Sequence, residues 1–365
     1  MNGRRPVNPP VRVSWNVIRN LKLCKVICPS MQFYLGRKVN ILKPFTIEEL
    51  KRNWESWEGE VPYVTVICTT FNNEDTVAKA LDGILSQVTK FPFKVLIHDD
   101  ASKDRTTDIV REYQEAYPDI LETIFQEKNV FSQEIMLDDY ISPFVIGEFV
   151  AFCEGDDYWI CENKLQDQVV YLETNTEHRF VGSFCEAIPE NTANSTYLIP
   201  RPQDREDGYI SAIQTSDLMK MFTYIHTSTY LMRIGAYREK VQDYRKFVVS
   251  NDLVYLSVVS RSSTALPIIN RVTSIYRLHD SGMWSSSERS ERYKRYANTW
   301  SEIRRVSYYR SEFNHAAIAN VNFEYFSFLV SLYSGKFKIR SLKSVSAKSL
   351  FLGTLWRVIR KMRGS

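Results

Sequence analysis

The stretch Phe149-Val150-Ala151-Phe152-Cys153-Glu154-Gly155-Asp156-Asp157-Tyr158-Trp159 decides the fold. An unbroken apolar run is the signature of a strand buried on both faces, and such strands belong to parallel sheets. The run ends in three carboxylates. Crowded carboxylates at a buried strand end either take up protons or acquire a positive partner, and a divalent cation shared with a phosphate is one such partner. Gly155 leaves room for close approach of a ligand, and Tyr158-Trp159 set flat apolar faces beside the charge. The plainer alternative is a strand-terminal turn with Asp156 capping the next helix.

Upstream, Val64-Thr65-Val66-Ile67-Cys68-Thr69 reads as another buried parallel strand. A helix is expected from about Glu74 to Gln87 with Asn73 as its cap, then a strand at Lys94–His98, then a helix from Asp104 to Tyr117, which Pro118 closes. Strands at Ile120–Phe125 and Phe149–Cys153 complete an α/β rhythm, which places ligands at the carboxyl ends of the strands. Downstream, a helix is expected at Asn163–Glu173, strands at Phe180–Phe184, Thr227–Arg233 and Val272–Tyr276, a helix opened by Asp252, and helical pattern over 286–333. Residues 188–210 read as a polar loop.

Each polar signature of the first half follows a predicted strand: Thr69-Thr70-Phe71-Asn72, then His98-Asp99-Asp100-Ala101-Ser102-Lys103-Asp104, then Glu154 to Trp159. Side by side, three such ends make one cleft. Phe71 can stack on a base there, Asp100 can accept hydrogen bonds from a base edge, and Asp156 and Asp157 can meet a ribose and a metal-bound diphosphate.

These three segments, with Tyr276-Arg277-Leu278-His279 downstream, resemble the family 2 glycosyltransferases, nucleotide-sugar-dependent enzymes of the GT-A fold. The resemblance covers roughly 62–285. It implies a Rossmann-like mixed sheet flanked by helices and a donor site in which Thr69, Phe71 and Asp100 hold the nucleobase. Asp156 would then face the ribose and also stand at the metal, with Asp157 on a Mn²⁺ or Mg²⁺ and His279 closing the metal–phosphate site. It also implies a catalytic carboxylate at the start of a late helix, where Ser250-Asn251-Asp252 fits. An inverting transfer needs one base for the acceptor hydroxyl, and Asp252 is the candidate; a simple helix cap is the alternative. Two features depart from the family. Asn251 stands where an acidic neighbour is usual, and Glu127 to Gln133 replaces a segment that often brings an Arg to the donor phosphates, leaving Lys128 as a substitute. His226-Thr227-Ser228 and Trp284 are candidates for the acceptor side.

Composition sets the outer frame. At 365 residues, 44% hydrophobic and 25% charged, the chain is ordinary for a globular protein. Its net charge of +4 hides an asymmetry: residues 1–47 and 336–365 each hold nine Lys or Arg and no acid, whereas 48–335 holds 29 basic against 43 acidic residues. Basic arms on an acidic body suit an anionic lipid surface better than nucleic acid. In the tail, Phe351, Leu352, Leu355, Trp356, Ile359 and Met362 recur at helical spacing among basic residues, as in an interfacial amphipathic helix. Six unpaired-looking cysteines read as reduced, and no run is long enough to cross a membrane.

The expected organisation is a basic extension over 1–60, a GT-A catalytic domain over 61–285, a helical region over 286–335 and a basic amphipathic tail over 336–365. The expected activity is metal-dependent inverting transfer from a nucleotide-sugar, UDP-linked, to a saccharide or lipid-linked acceptor of a bacterial surface polysaccharide, at the cytoplasmic face of the plasma membrane. A sugar-nucleotide pyrophosphorylase is the rival enzyme, but it needs a Gly-rich phosphate loop after the first strand, and Thr69–Asp75 contains no glycine. An inactive nucleotide-sugar or glycan-binding module is the non-enzymatic rival.

Overall fold

The computed structural model describes residues 42–59, 61–190, 196–201, 208–221, 223–279, 282, 287–333 and 354. All lie within one compact unit, Asn40–Ser365. Trp284, Cys24 and Cys28, most of the N-terminal extension and the amphipathic tail fall outside the described residues.

In chain order the elements are α1 (Ile47–Asn53), β1 (Val64–Thr70), α2 (Val77–Leu85), β2 (Phe93–Asp99), α3 (Thr106–Ala116), β3 (Leu121–Phe125), α4 (Asp138–Ile141), β4 (Phe149–Phe152), β5 (Tyr158–Trp159), α5 (Lys164–Thr174), β6 (Phe180–Pro189), β7 (Tyr197–Ile199), β8 (Ile210–Gln214), α6 (Thr215–Met219), β9 (Leu231–Arg233), α7 (Ile234–Asp243), α8 (Asn251–Val259), β10 (Ala265–Leu278), α9 (Arg289–Tyr309) and α10 (Phe313–Tyr333). Among the described residues ten strands make one sheet in the order β3-β2-β1-β4-β9-β6-β10-β5, with β7 beside β6 and β8 beside β10. β1 runs parallel to β2 and β4, and β2 to β3. β9 then enters antiparallel between β4 and β6. This is the expected mixed α/β sheet of the GT-A kind.

β1 is buried along both faces, which its Val-Thr-Val-Ile-Cys-Thr-Thr composition requires. Even Thr65 is enclosed, its hydroxyl donating to Ile146 C=O at 2.7 Å. The core joins β1, β2 and β4 to α2 and α5 through Val66, Leu81, Val95, Ala151 and Leu165. Trp54 edges onto Phe93 and donates to Thr89, so the segment before β1 is fastened to this core. A second core packs α8 against the α9–α10 hairpin, through Val254, Val258, Trp300, Ile303 and Phe326.

Several boundaries differ from expectation for identifiable reasons. α2 begins at Val77, not Glu74, because Asn73 Oδ1 turns back to accept Phe71 N–H at 3.1 Å. Thr227–Thr229 is a 3₁₀ turn rather than the start of a strand, since His226 Nδ1 accepts Ser228 N–H. β10 runs for 14 residues, well beyond Val272–Tyr276, because irregularities near Val272 absorb the polar Asn270-Arg271 that interrupts its pattern.

Two packing points carry measurable consequences. A Cβ on Gly83, in α2, would lie 2.7 Å from Trp159 O and 2.9 Å from Trp159 N, backbone atoms that cannot swing aside. Glycine is normally unfavourable inside a helix, so close packing is what retains it. Gly83→Ala is expected to lower stability by roughly 1–3 kcal/mol, read from urea melts, despite alanine's better helix propensity.

Lys164 is only 1% exposed. Its Nζ donates to Gln168 Oε1 at 2.8 Å and lies 4.2 Å from the Trp159 ring centroid. Burial pushes this ammonium down from 10.5 to about 7. Above that pH the unfolded chain holds a proton the folded protein has released, so stability rises with pH. Wild-type protein should gain roughly 2 kcal/mol between pH 7 and 9 relative to Lys164→Met, whose melting curves should lack this slope.

Candidate active site

The carboxyl ends of β1, β2 and β4 meet through backbone hydrogen bonds. Asp100 N–H donates to Thr70 C=O at 3.0 Å and Gly155 N–H to Thr69 C=O at 2.8 Å. Thr69, Phe71, Asp100 and the Glu154–Asp157 turn therefore form one edge, as their positions after successive strands predict. Phe71 is 44% exposed, a free flat face at the cleft. Gly155 is there by necessity: a Cβ would lie 2.6 Å from Thr70 Oγ1 and 2.8 Å from Thr70 Cβ. Thr76 Oγ1 donates to Gly155 C=O at 2.8 Å and fixes the turn from beneath.

Each carboxylate of the turn has a different environment. Asp156 is partly exposed and its Oδ2 lies 3.2 Å from His279 Nε2. That hydrogen bond, with the carboxylate's charge, pushes the His279 imidazole above its usual range against the effect of burial. Asp157 points inward. It is 2% exposed, and its Oδ1 accepts Arg277 N–H at 3.1 Å. Its Oδ2 lies 3.6 Å from His226 Nδ1. Burial and the neighbouring Asp156 and Glu154 push Asp157 well above the ordinary carboxylate range. Glu154 is pushed up to about 7, by burial first and by Asp156 second, while the Thr227 hydroxyl and its own backbone pull the other way. Glu154 Oε2 is buried without a hydrogen-bond partner.

Asp252 stands in the first turn of α8. α8 is set against the end of β4 by Phe152 and Tyr255, whose ring centroids are 4.9 Å apart. Asp252 is raised by burial and lowered by the Tyr224 hydroxyl, which donates to it, and by the N–H groups of Leu253 and Asp252 itself. It thus accepts from the helix start and also faces the cleft, within electrostatic reach of Glu154. Beside it Ser250 Oγ and Asn251 Oδ1 are buried and unpartnered.

The structure brings Asp156, His279, Glu154 and Asp252 to one cleft. Two of the expected residues have other partners here. Asp157, expected on the metal, is turned to Arg277 and His226, because its position in the turn faces the protein interior. Asp100, expected at a base edge, uses Oδ1 and Oδ2 to accept Val130 N–H at 2.6 Å and Phe131 N–H at 3.1 Å, so it holds the segment after β3. Lys128 is exposed. Phe131 meets Phe247 edge-on at 5.4 Å, bridging that segment to the one before α8. Tyr224 escaped sequence reading, since a lone tyrosine carries no motif. His226 is buried against Tyr276 at 4.1 Å, and burial holds it down to about 4, so it is neutral. His178 stacks on Tyr171 away from the cleft.

An exposed carboxylate beside an imidazole, with an orphaned buried carboxylate oxygen nearby, is a donor set that suits Mn²⁺ or Mg²⁺. Among the described residues no group of three or more His, Cys, Asp or Glu could hold a metal unaided. The remaining ligands would have to come from a bound diphosphate and water, the usual arrangement for such ions.

Residues 65–237 match the family described as Glycosyl transferase family 2. The uncharacterised protein Rv1520 of Mycobacterium tuberculosis is 29% identical over 224 residues, 61% of each chain; this chain thus spans about three fifths of that relative. The Escherichia coli UDP-Glc:alpha-D-GlcNAc-diphosphoundecaprenol beta-1,3-glucosyltransferase WfgD is 26% identical over 138 residues, 38% of this chain and 51% of that one. S. aureus TarS 1-349, solved in complex with UDP-GlcNAc, superposes with a TM-score of 0.53 at 16% identity, covering 72% of this chain and 71% of TarS, a likeness of fold. The mixed sheet and the strand-end signatures, in the order the family requires, agree with this match to glycosyl transferase family 2 over residues 65–237.

Proposed function

We propose that this protein transfers a sugar from a UDP-sugar to a saccharide or lipid-linked saccharide acceptor, with inversion at the anomeric carbon. One observation carries the reading: Asp156 and His279 meet at the edge of the parallel strands, with Asp252 across the cleft. The surface-polysaccharide acceptor is supported by the printed activity of WfgD, and the UDP donor by WfgD and by the UDP-GlcNAc bound to TarS.

In this mechanism Phe71 stacks on the base and Thr69 lines its edge. Asp100 shapes the base site by holding Val130 and Phe131, and accepts from the base only if that segment moves. Asp156 and His279 would hold Mn²⁺ or Mg²⁺, which when bound stabilises negative charge on the departing diphosphate. Glu154, with its unpartnered Oε2, is placed to accept a ribose or sugar hydroxyl. Asp252 takes the proton from the acceptor hydroxyl as that oxygen attacks the anomeric carbon opposite the breaking bond to the diphosphate. Burial, by raising its affinity for the proton, makes Asp252 a better base than a free carboxylate. Tyr224 keeps it oriented. The basic extension and tail would bring the enzyme to anionic lipid at the cytoplasmic face, where a lipid-linked acceptor is presented; among the described residues no helix is long and apolar enough to cross a membrane.

Incubation of the protein with UDP-sugars, Mn²⁺ and a lipid-linked saccharide should yield a glycoside whose NMR coupling reports the inverted anomer. Asp252→Asn keeps the size of the side chain and much of its capping ability. It should bind UDP as wild type does while kcat falls by about 10²–10⁴, the worth of a positioned base. Unchanged kcat with lowered stability would make Asp252 a cap. Absence of both transfer and donor hydrolysis in the wild type, with UDP still bound, would favour the inactive binding module.

A further inference from the structure

Asp156 and His279 are 123 positions apart, so something must hold their carriers in register. β5 and β10 are paired at Tyr158–Ile275 and Trp159–Ser274. Beyond that ladder the chain turns away, with Asp157 N–H closing onto Glu154 C=O at 3.0 Å. The next hydrogen bond between the two segments comes from a side chain: Asp157 Oδ1 accepts Arg277 N–H at 3.1 Å. On its other side β10 is paired with β6 as far as Leu278. Arg277 is thus gripped two residues before His279.

The other face of Asp157 is equally enclosed. His226 Nδ1, 3.6 Å from Oδ2, already accepts Ser228 N–H and lies 2.8 Å from Ser228 Oγ. Ser228 Oγ donates to Ser274 Oγ at 3.0 Å, returning the chain of contacts to β10. A cation reaching Asp157 would have to enter this packed layer. Asp156, with a third of its side chain exposed, faces the cleft.

The geometry points to Asp157 as a positioning residue that fixes the end of β10 so that His279 meets Asp156, while Asp156 is the carboxylate available to a cation on the donor diphosphate. The inference rests on the reading of this cleft as a metal–diphosphate site. It separates two adjacent aspartates by what each must supply: Asp156 a charge, Asp157 an acceptor oxygen.

The test compares Asp156→Asn, Asp157→Asn and Asp157→Leu. Asparagine at 157 keeps Oδ1 for Arg277 N–H and loses only the charge. Mn²⁺ binding in the presence of UDP is followed by loss of the free-ion electron paramagnetic resonance signal. Backbone exchange over 275–279 is followed in metal-free protein by hydrogen–deuterium mass spectrometry, and melting curves establish that each variant is folded. Asp157→Asn should bind Mn²⁺ within about threefold of wild type and keep its exchange protection. Asp157→Leu should lose that protection and weaken Mn²⁺ by about 10–100-fold, the usual effect of removing an outer-shell support. Asp156→Asn should lose Mn²⁺ binding with protection intact. The proposal is overturned if Asp157→Asn loses Mn²⁺ as Asp156→Asn does, or if a folded Asp157→Leu keeps full protection over 275–279. A wild type that ignores Mn²⁺ with UDP, yet shows the expected exchange pattern, sinks the metal–diphosphate reading and leaves Asp157 as a clamp on β10.

Discussion

Three carboxylates within four residues cannot share one environment, and the way this chain separates them organises the rest of the cleft. Asp156 is given an imidazole, Asp157 a backbone N–H, and Glu154 a hydroxyl and a share of the proton it holds more tightly than usual. Were all three to face the cleft as anions, they would repel one another in a partly dry site. Turning Asp157 inward removes one charge from the cleft, and its hydrogen bond to Arg277 puts that residue to structural use. The close approach of Gly155 to Thr70 makes the turn tight enough for consecutive aspartates to face opposite ways.

The same principle, in which an acid is tied down by nearby donors, recurs at the end of β2, on the far side of β1. Asp99 accepts from the Ser102 N–H and from the Ser102 and Thr107 hydroxyls and stays within the structure of the β2–α3 connection. Asp100 collects two N–H groups from the segment after β3. That segment is also moored at α4, where buried Asp138 pairs with buried Lys240 of α7. Removing one partner of such a pair strands the other charge in the interior, so the mooring is hard to undo. The β2 side of the cleft is therefore built from polar contacts between loops, and the opposite side from the apolar packing of α8.

The strand-end half of this arrangement was legible because its signals are local. A buried strand followed at once by a polar cluster leaves a mark within ten residues, as at Val64–Asn72 and Phe149–Trp159, and the parallel sheet could be read from such marks. What was not legible depended on distance or on direction. Nothing in Asp156-Asp157 tells which carboxylate faces the cleft, because the answer comes from Arg277 on another strand. Tyr224 and Asp252 are brought together by the fold alone. β5, two residues long, and α7, with its mixed composition, gave no period to detect, and β10 hid its length behind Asn270-Arg271. Asp252 was legible because a helix start after an irregular segment is a local event, although its tyrosine partner was not.

α8 is enclosed along its length, Leu253 to Val259 being buried between the sheet and the α9–α10 hairpin. The span matching the family ends at Tyr237, before α8 begins, so the helix with the candidate base and the helices that cover it lie outside that match. The match to the family therefore speaks for the strand-end side of the cleft, while α8 is placed by its own packing against the sheet and the α9–α10 hairpin.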